Sequence, residues 1–322
     1  PYIDLAPGIS DALVHRAQTG WYGYEARQKS GLDAFWSWMQ ARHGWNGSSL
    51  TASVSPSVGT SIGAMIELLT DAGDGVIIQP PVFTDFKPLI VAAGRRVVRD
   101  PLVFNDEGYR MDLDHLDRAA ADESTRMMIL CNPHNPVGRL WSESELQAVA
   151  RICAKHDVTV VSDEIHADIT LGERAFTPFA DAADGSGVEW AATHGPIKTF
   201  GLAGVCDTLL LTDSAELTER FRAMSSRLHL SRNNVFGLAA FEAAYRTGAD
   251  WLDSTLELIS RNLGTLKDGL AETIPVIESE ATYLAWLDLR SLGLEVPELA
   301  GWLANAGLAL SPGHWFGREG AG

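Results

Sequence analysis

Between about residues 59 and 212, short apolar runs alternate with helical patterns, and this alternation constrains the fold more than any other feature of the chain. Gly75-Val76-Ile77-Ile78-Gln79, Arg96-Val97-Val98, Met127-Met128-Ile129-Leu130-Cys131, Val158-Thr159-Val160-Val161 and Thr208-Leu209-Leu210-Leu211 read as strands covered on both faces. One connection between them is well defined. Ser142 and Glu145 make a capping box, after which Leu146, Val149, Ala150 and Cys153 follow the i, i+3, i+4, i+7 spacing of a helix that buries one face. Met127 to Val161 is then a βαβ unit, and such a unit needs a parallel sheet with helices packed on it. The predicted fold class is α/β, a three-layer, mostly parallel sheet with a smaller α+β domain.

After Asp213 the pattern turns helical. Leu252, Leu256, Ile259, Leu263, Leu266 and Leu270 form an apolar stripe at helical spacing, which reads as packing. Pro275 stops it, Tyr283 to Leu289 reads as a strand, and a helix is predicted from Pro297 in its first turn to Asn305. No internal repeat or low-complexity linker interrupts the chain.

With 322 residues, the length prior is about two domains. Lys plus Arg is 25 and Asp plus Glu is 42, so the formal charge is 25 − 42 = −17, which disfavours nucleic acid as a partner. No apolar stretch approaches the roughly 18 residues of a membrane helix, and Pro1-Tyr2-Ile3-Asp4 lacks a signal-peptide pattern, so no membrane partner and a cytoplasmic location are expected. Cys131, Cys153 and Cys206 are widely spaced with no CxxC pair, which predicts buried, reduced thiols. The start at Pro1 and the glycine-rich Gly317-Arg318-Glu319-Gly320-Ala321-Gly322 lead us to expect that the natural chain extends further.

In an open parallel sheet, ligands bind beyond the carboxyl ends of the strands. Cys131 is followed there by Asn132-Pro133-His134-Asn135-Pro136-Val137-Gly138, which alone could be only a turn. Val161 is followed by Ser162-Asp163-Glu164-Ile165-His166. With Asp168 these could be imagined as metal ligands, but HExxH and other dense ligand spacings are absent and no metal is expected. Ser55-Pro56-Ser57-Val58-Gly59-Thr60-Ser61-Ile62-Gly63 leads into a helical run, a pattern that can aim backbone N–H groups at a phosphate. Gly59 to Gly63 also matches the GxSxG of a hydrolase elbow with Ser61 as nucleophile, although Pro56 stands where the entering strand would need a donor. Finally, Lys198 is a lone lysine within Gly195-Pro196-Ile197-Lys198-Thr199-Phe200-Gly201-Leu202-Ala203-Gly204. It reads either as a solvated surface charge or, in an apolar pocket, as an amine of lowered pKa that attacks an aldehyde. An acid, an asparagine, an anion cradle and such a lysine together suggest pyridoxal phosphate.

The order of these elements resembles the fold-type I pyridoxal-phosphate enzymes, and the details resemble their MalY/PatB branch of carbon–sulfur β-lyases, which includes cystathionine β-lyases. The resemblance runs over essentially the whole chain. It is carried by Tyr22-Gly23-Tyr24, Ser55-Pro56-Ser57-Val58, Gly73-Asp74-Gly75, Pro80-Pro81-Val82-Phe83, Asn132 to Gly138, Ser162-Asp163-Glu164-Ile165-His166, Lys198-Thr199-Phe200 and Thr282-Tyr283-Leu284-Ala285-Trp286-Leu287-Asp288-Leu289. It implies a large cofactor-binding domain over residues 28–240, and a small domain made of 1–27 with 241–322.

By that resemblance Lys198 holds the cofactor and moves the proton at the substrate Cα, and Asp163 pairs with the pyridine nitrogen. Asn135 bonds the ring hydroxyl, His166 lines the same side, and Phe83 stacks on the ring. The backbone of Val58 and Gly59 holds the phosphate, and Tyr24 reaches it from the partner subunit of a homodimer. The implied reaction frees a thiol, pyruvate and ammonia from cystathionine or another S-substituted cysteine. An aminotransferase would use nearly the same residues, and a regulator on the same fold is a further alternative, as is the Ser61 hydrolase. The sequence departs from the family pattern at Ile197, Gly201 and Phe83, where Ser, Asn and Tyr are frequent. The arginine for the substrate carboxylate is expected past Ser311-Pro312-Gly313, and Arg318 comes too early to be that residue.

Overall fold

The computed structural model describes residues 3–105, 108–231, 234–271 and 273–322. The chain enters through helices α1 (Pro7–Thr19) and α2 (Lys29–His43), then alternates: β1 (Thr51–Ser55), α3 (Val58–Leu69), β2 (Gly75–Ile78), α4 (Phe86–Ala92) and β3 (Arg96–Arg99). A small hairpin of β4 (Val103–Asn105) and β5 (Gly108–Arg110) leads to α5 (Leu113–Ala120). Then come β6 (Thr125–Cys131), α6 (Glu143–Lys155), β7 (Thr159–Asp163), α7 (Phe179–Ala183), β8 (Trp190–His194) and β9 (Thr208–Thr212). Helices α8 (Ala215–Leu228), α9 (Val235–Thr247), α10 (Ala249–Leu270) and α11 (Val296–Asn305) complete the regular structure.

Seven strands form one sheet in the order β1-β9-β8-β7-β6-β2-β3. From β8 to β3 every pairing is parallel, while β9 runs antiparallel to both β1 and β8. The five apolar runs read as strands are β2, β3, β6, β7 and β9. Burial on both faces explains their lack of alternation. Val76, Ile78, Met127 and Ile129 join the core under α2, α3, α4 and α9, whereas Ile77, Met128 and Leu130 join the core under α5, α6 and α7. Successive side chains thus enter opposite cores, which makes the three layers. The expected capping box is present at α6, with Ser142 Oγ accepting from the Glu145 N–H and Leu146, Val149, Ala150 and Cys153 all buried.

Two strands have no apolar signature. β1 is the edge strand Thr-Ala-Ser-Val-Ser, mostly half-buried, and β8 is alanine-rich. The expected strand over 283–289 is not formed. That segment touches residues 275–277 through only two backbone bonds, Ile277 N–H to Trp286 O (2.8 Å) and Asp288 N–H to Pro275 O (2.9 Å), with an isolated bridge between Val276 and Leu287. Helix α11 begins as expected, with proline in its first turn. In α10 only Leu252 is fully buried, and the rest of the stripe is half-buried because the helix runs off the main core after its first turn. Cys131, Cys153 and Cys206 are buried and free. Among the described residues no helix is long and apolar enough to cross a membrane.

Candidate active site

The site lies at the carboxyl ends of β6, β7 and β8, with α3 and the turn before β9 facing them. The turn after β6 is tightly held: Asn132 N–H donates to Asp163 O (2.9 Å), and His134 N–H donates to Arg139 O (2.8 Å). The Trp141 indole donates to Cys131 O (2.9 Å). At the end of β7, Asp163 Oδ1 accepts from the Thr193 hydroxyl of β8 (3.2 Å) and from the Ile165 N–H (3.3 Å). The next residue anchors the turn from inside. Glu164 is buried and accepts from the Phe179 N–H (2.8 Å) and the Ser162 hydroxyl (2.9 Å), and it pairs with His194 Nε2 (2.7 Å).

Ser57 caps α3, its Oγ accepting from the Thr60 N–H (3.1 Å), and Val58 and Gly59 are the first helical residues. The first turn of a helix leaves N–H groups unpaired and carries positive partial charge. Lys198 sits on an irregular turn between β8 and β9, closed by Phe200 N–H to Pro196 O (3.0 Å) and Leu202 N–H to Ile197 O (3.0 Å).

A cavity of about 250 Å³ joins these pieces. Val58, Gly59, Phe83, Asn135, Asp163, His166 and Lys198 all line it, so seven of the eight residues singled out from the sequence meet in one place. Its other walls include Ile62, Phe86, Leu89, Ile165 and Ile197. Tyr24 does not line it and is 91% exposed on its own chain. Ser61 is fully buried inside α3, and its Oγ has no partner among the described residues. β1 does run into this turn, but Ser61 lies in the helix and not at a solvent-facing elbow, so the hydrolase geometry is absent.

Burial sets the electrostatics. It pushes Asp163 up to about 6, against the lowering effects of the Ile165 N–H, the Thr193 hydroxyl and the Lys198 charge, with the Glu164 charge adding to the rise. It pushes His166 down to about 3, helped by the nearby Lys198 charge, so His166 is neutral. His134, bonded to Pro81 O (2.9 Å), is likewise pushed down to about 4 by burial.

The residues present fit pyridoxal phosphate. Asn135 Oδ1 and His166 Nδ1 are buried polar atoms without a protein partner among the described residues, and both residues line the cavity. Such orphaned atoms are costly unless a ligand or water satisfies them. Asp163 Oδ2 has no protein donor among the described residues, and nothing but Ser57 Oγ, at 3.9 Å, would meet a side chain at Gly59, which leaves the start of α3 open to an anion.

Three supporting features were not foreseen. Thr193 and the His194–Glu164 pair steady Asp163, but β8 has little strand signature to place them. Tyr283 stands edge-on to His166, with ring centroids 5.6 Å apart. The residue before it, Thr282, is fully buried at φ 71°, a left-handed conformation rare for a β-branched residue. Finally, residues 280–282 bridge the two site-bearing turns: the N–H groups of Glu280 and Ala281 donate to Gly138 O (2.8 and 2.9 Å), and Thr282 N–H donates to Ile169 O (2.8 Å). Gly138 has φ 71°, and a Cβ there would lie 2.1 Å from Ser279 Oγ and 3.0 Å from Ala281 O. Gly138→Ala is therefore expected to destabilise the fold by about 2 kcal/mol or more, read as a lowered urea midpoint at unchanged slope.

A three-layer parallel sheet that brings a lysine, an acid and a helix start to one cavity at its strand ends is the architecture of a fold-type I pyridoxal-phosphate enzyme. The chain matches the family model for aminotransferase class I and II over residues 28–322. It is 36% identical over 318 residues to cystathionine beta-lyase PatB of Bacillus subtilis (strain 168), covering 98% of this chain and 82% of the relative. Protein MalY of Escherichia coli (strain K12) is 31% identical over 323 residues, with the same two shares. Among solved structures, cystalysin from Treponema denticola, which contains a pyridoxal 5'-phosphate cofactor, aligns with a TM-score of 0.93 at 27% identity, covering 99% of this chain and 82% of that one. The chain belongs to the aminotransferase class I and II family.

Proposed function

We propose that the protein is a carbon–sulfur β-lyase of the cystathionine β-lyase type, releasing a thiol, pyruvate and ammonia from an S-substituted cysteine. The observation that carries the reading is the meeting of Lys198 with Asp163 in one cavity that also holds the orphaned atoms of Asn135 and His166. The similarity to PatB and MalY over nearly the whole chain favours a lyase over an aminotransferase.

In this reading Lys198 Nζ holds the cofactor and Asp163 faces its pyridine nitrogen. Asn135 bonds the ring hydroxyl, Phe83 covers the ring, His166 lines the same side, and the N–H groups of Val58 and Gly59 hold the phosphate with the dipole of α3. When bound, pyridoxal phosphate supplies an electron sink for negative charge at the substrate Cα. Once the substrate amine takes its place on the cofactor, the freed Lys198 Nζ would take the Cα proton as general base, the thiolate would depart from Cβ, and one water per turnover would convert the remaining three-carbon fragment to pyruvate and ammonia. Asp163 keeps a proton on the ring nitrogen by staying ionised beside it. Ile62, Phe86, Leu89, Ile165 and Ile197 keep bulk water away from these groups, which strengthens their interaction.

Tyr24 would complete the phosphate site from a second copy of the chain. The exposure of Trp21 (78%), Tyr22 (55%) and Tyr24 (91%) next to one another supports a homodimer that covers them. We further propose that residues 28–240 form a large cofactor-binding domain and residues 1–27 with 241–322 a small one.

The deciding experiment is the release of thiol and pyruvate from L-cystathionine with pyridoxal phosphate present and no keto acid added. Equal release of both supports the lyase. Absence of thiol from a protein that binds the cofactor overturns it in favour of amino-group transfer, which a panel of keto acids would then reveal.

The acid also sets a pH dependence. Asp163 in the ligand-free chain is neutral below about 6 and ionised above it. Binding that needs the carboxylate must release its proton below that point, so affinity for pyridoxal phosphate falls as pH drops through 6, by up to about tenfold per unit. Equilibrium dialysis between pH 5 and 8 checks this, and Asp163→Asn should lessen the fall near 6, leaving the part set by the cofactor's phosphate, whose second pKa is also about 6.

A further inference from the structure

Asp168 is a buried carboxylate for which the proposed chemistry has no use. It is 5% exposed, and three donors converge on it. Oδ1 accepts from the Trp38 indole N–H (2.8 Å) and pairs with His43 Nε2 (2.8 Å), and Oδ2 accepts from the Thr199 hydroxyl (2.8 Å). Burial alone would raise its pKa, but the bond and charge of His43 and the bonds from Trp38 and Thr199 outweigh burial and hold it below the usual carboxylate range. An ionised acid so deep in the protein is costly unless fully bonded, and here it is.

Its place in the chain gives the cluster a meaning. Asp168 lies on the turn that follows β7, where Ala167 N–H donates to Glu164 O (3.0 Å) and Ile169 N–H donates to His166 O (2.9 Å). That turn carries Asp163 and His166. Thr199, only 4% exposed, is the residue next to Lys198 on the other turn. The lysine turn belongs to no helix or strand; its backbone bonds from Phe200 to Pro196 and from Leu202 to Ile197 close it on itself, and the Thr199 hydroxyl ties it to Asp168. We propose that Asp168 is a positioning residue: its carboxylate ties the turn carrying Asp163 and His166 to the turn carrying Lys198, and so fixes the lysine relative to the acid in the same cavity. Trp38 and His43 hold that carboxylate from α2, and Trp38 also stands edge-on to Phe200 of the lysine turn, with ring centroids 5.6 Å apart. The inference rests on the pyridoxal-phosphate reading of the cavity.

The test uses the purified holoenzyme with Thr199→Val, Thr199→Ser and Asp168→Asn. Valine keeps the shape of threonine and puts a methyl in place of the hydroxyl, and Asp168 keeps its bonds from Trp38 and His43, so Thr199→Val is expected to fold. Its dissociation constant for pyridoxal phosphate should rise about tenfold, the loss expected for a buried hydrogen bond to a charged group. The visible circular dichroism of the bound cofactor should change in amplitude as the ring loses its fixed orientation. Thr199→Ser, which keeps the hydroxyl, should restore both readouts. Asp168→Asn should weaken binding at least as much as Thr199→Val, and the double variant should be no weaker than Asp168→Asn alone, since both remove one link. A purely structural role would lower the melting temperature of the cofactor-free protein and leave affinity and circular dichroism at wild-type values; that result in Thr199→Val overturns the inference, whether or not Asp168→Asn folds. A wild-type chain that takes up no pyridoxal phosphate overturns the reading of the cavity and this inference with it.

Discussion

Replacing Lys198 with alanine is expected to remove turnover almost entirely, by about 10⁴-fold or more in kcat, because one nitrogen both holds the cofactor and moves the Cα proton. The visible absorbance of cofactor joined to the lysine should vanish in the same variant. Folding should survive. Lys198 is half-buried on an irregular turn, and the backbone bonds from Phe200 to Pro196 and from Leu202 to Ile197 do not involve its side chain. Melting temperature and oligomeric state measured beside activity make the comparison clean. Wild-type absorbance in Lys198→Ala would sink the assignment of the cavity, and retained turnover would move the base elsewhere.

The second large effect is expected at Asp163. Asparagine keeps an acceptor for the Thr193 hydroxyl and the Ile165 N–H and removes only the charge, so the turn should stay in place. Without a carboxylate the ring nitrogen holds its proton poorly and the electron sink weakens. We expect kcat to fall about 10²- to 10³-fold, with a smaller change in KM. Steady-state kinetics with L-cystathionine checks it. A loss of less than about threefold would mean that the charge of Asp163 does not act on the chemistry.

Much of the sheet was legible because its central strands are buried on both faces. Runs such as Met127 to Cys131 have no polar alternation to confuse them with half-exposed strands, and the capping box at Ser142 fixed the start of α6. β1 and β8 stayed hidden for opposite reasons. The first is an edge strand of mostly small residues that pairs with β9, and the second, Trp190-Ala191-Ala192-Thr193-His194, has no run of large aliphatic side chains to signal it. The segment from Tyr283 to Leu289 has strand composition but finds no strand to pair with, and pairing is a tertiary property that local composition does not contain.

Seven of the eight candidate residues meet in one cavity because each stands beyond a strand or at a helix start, where an open parallel sheet gathers ligands; Tyr24, before α2, does not. What composition could not show is the scaffold behind it. Glu164 looks like part of an acidic run, yet it is turned inward to anchor His194, Ser162 and Phe179. Asp168 looks like a possible metal ligand, yet its oxygens are taken by Trp38, His43 and Thr199. Both facts depend on partners far away in sequence.

The bridge at residues 280–282 gives the molecule a mechanical fulcrum. The stretch beyond α10 is pinned there by three backbone bonds, onto Gly138 O and Ile169 O, and by a fourth from Leu171 N–H to Glu280 O (2.8 Å). The first pair lies on the turn bearing Asn135, and the others lie just past His166. A swing of the carboxyl-terminal part about this point would load those two turns, while the same part is also tied to Val82 through Phe316 O and to Arg99 of β3 through Glu319.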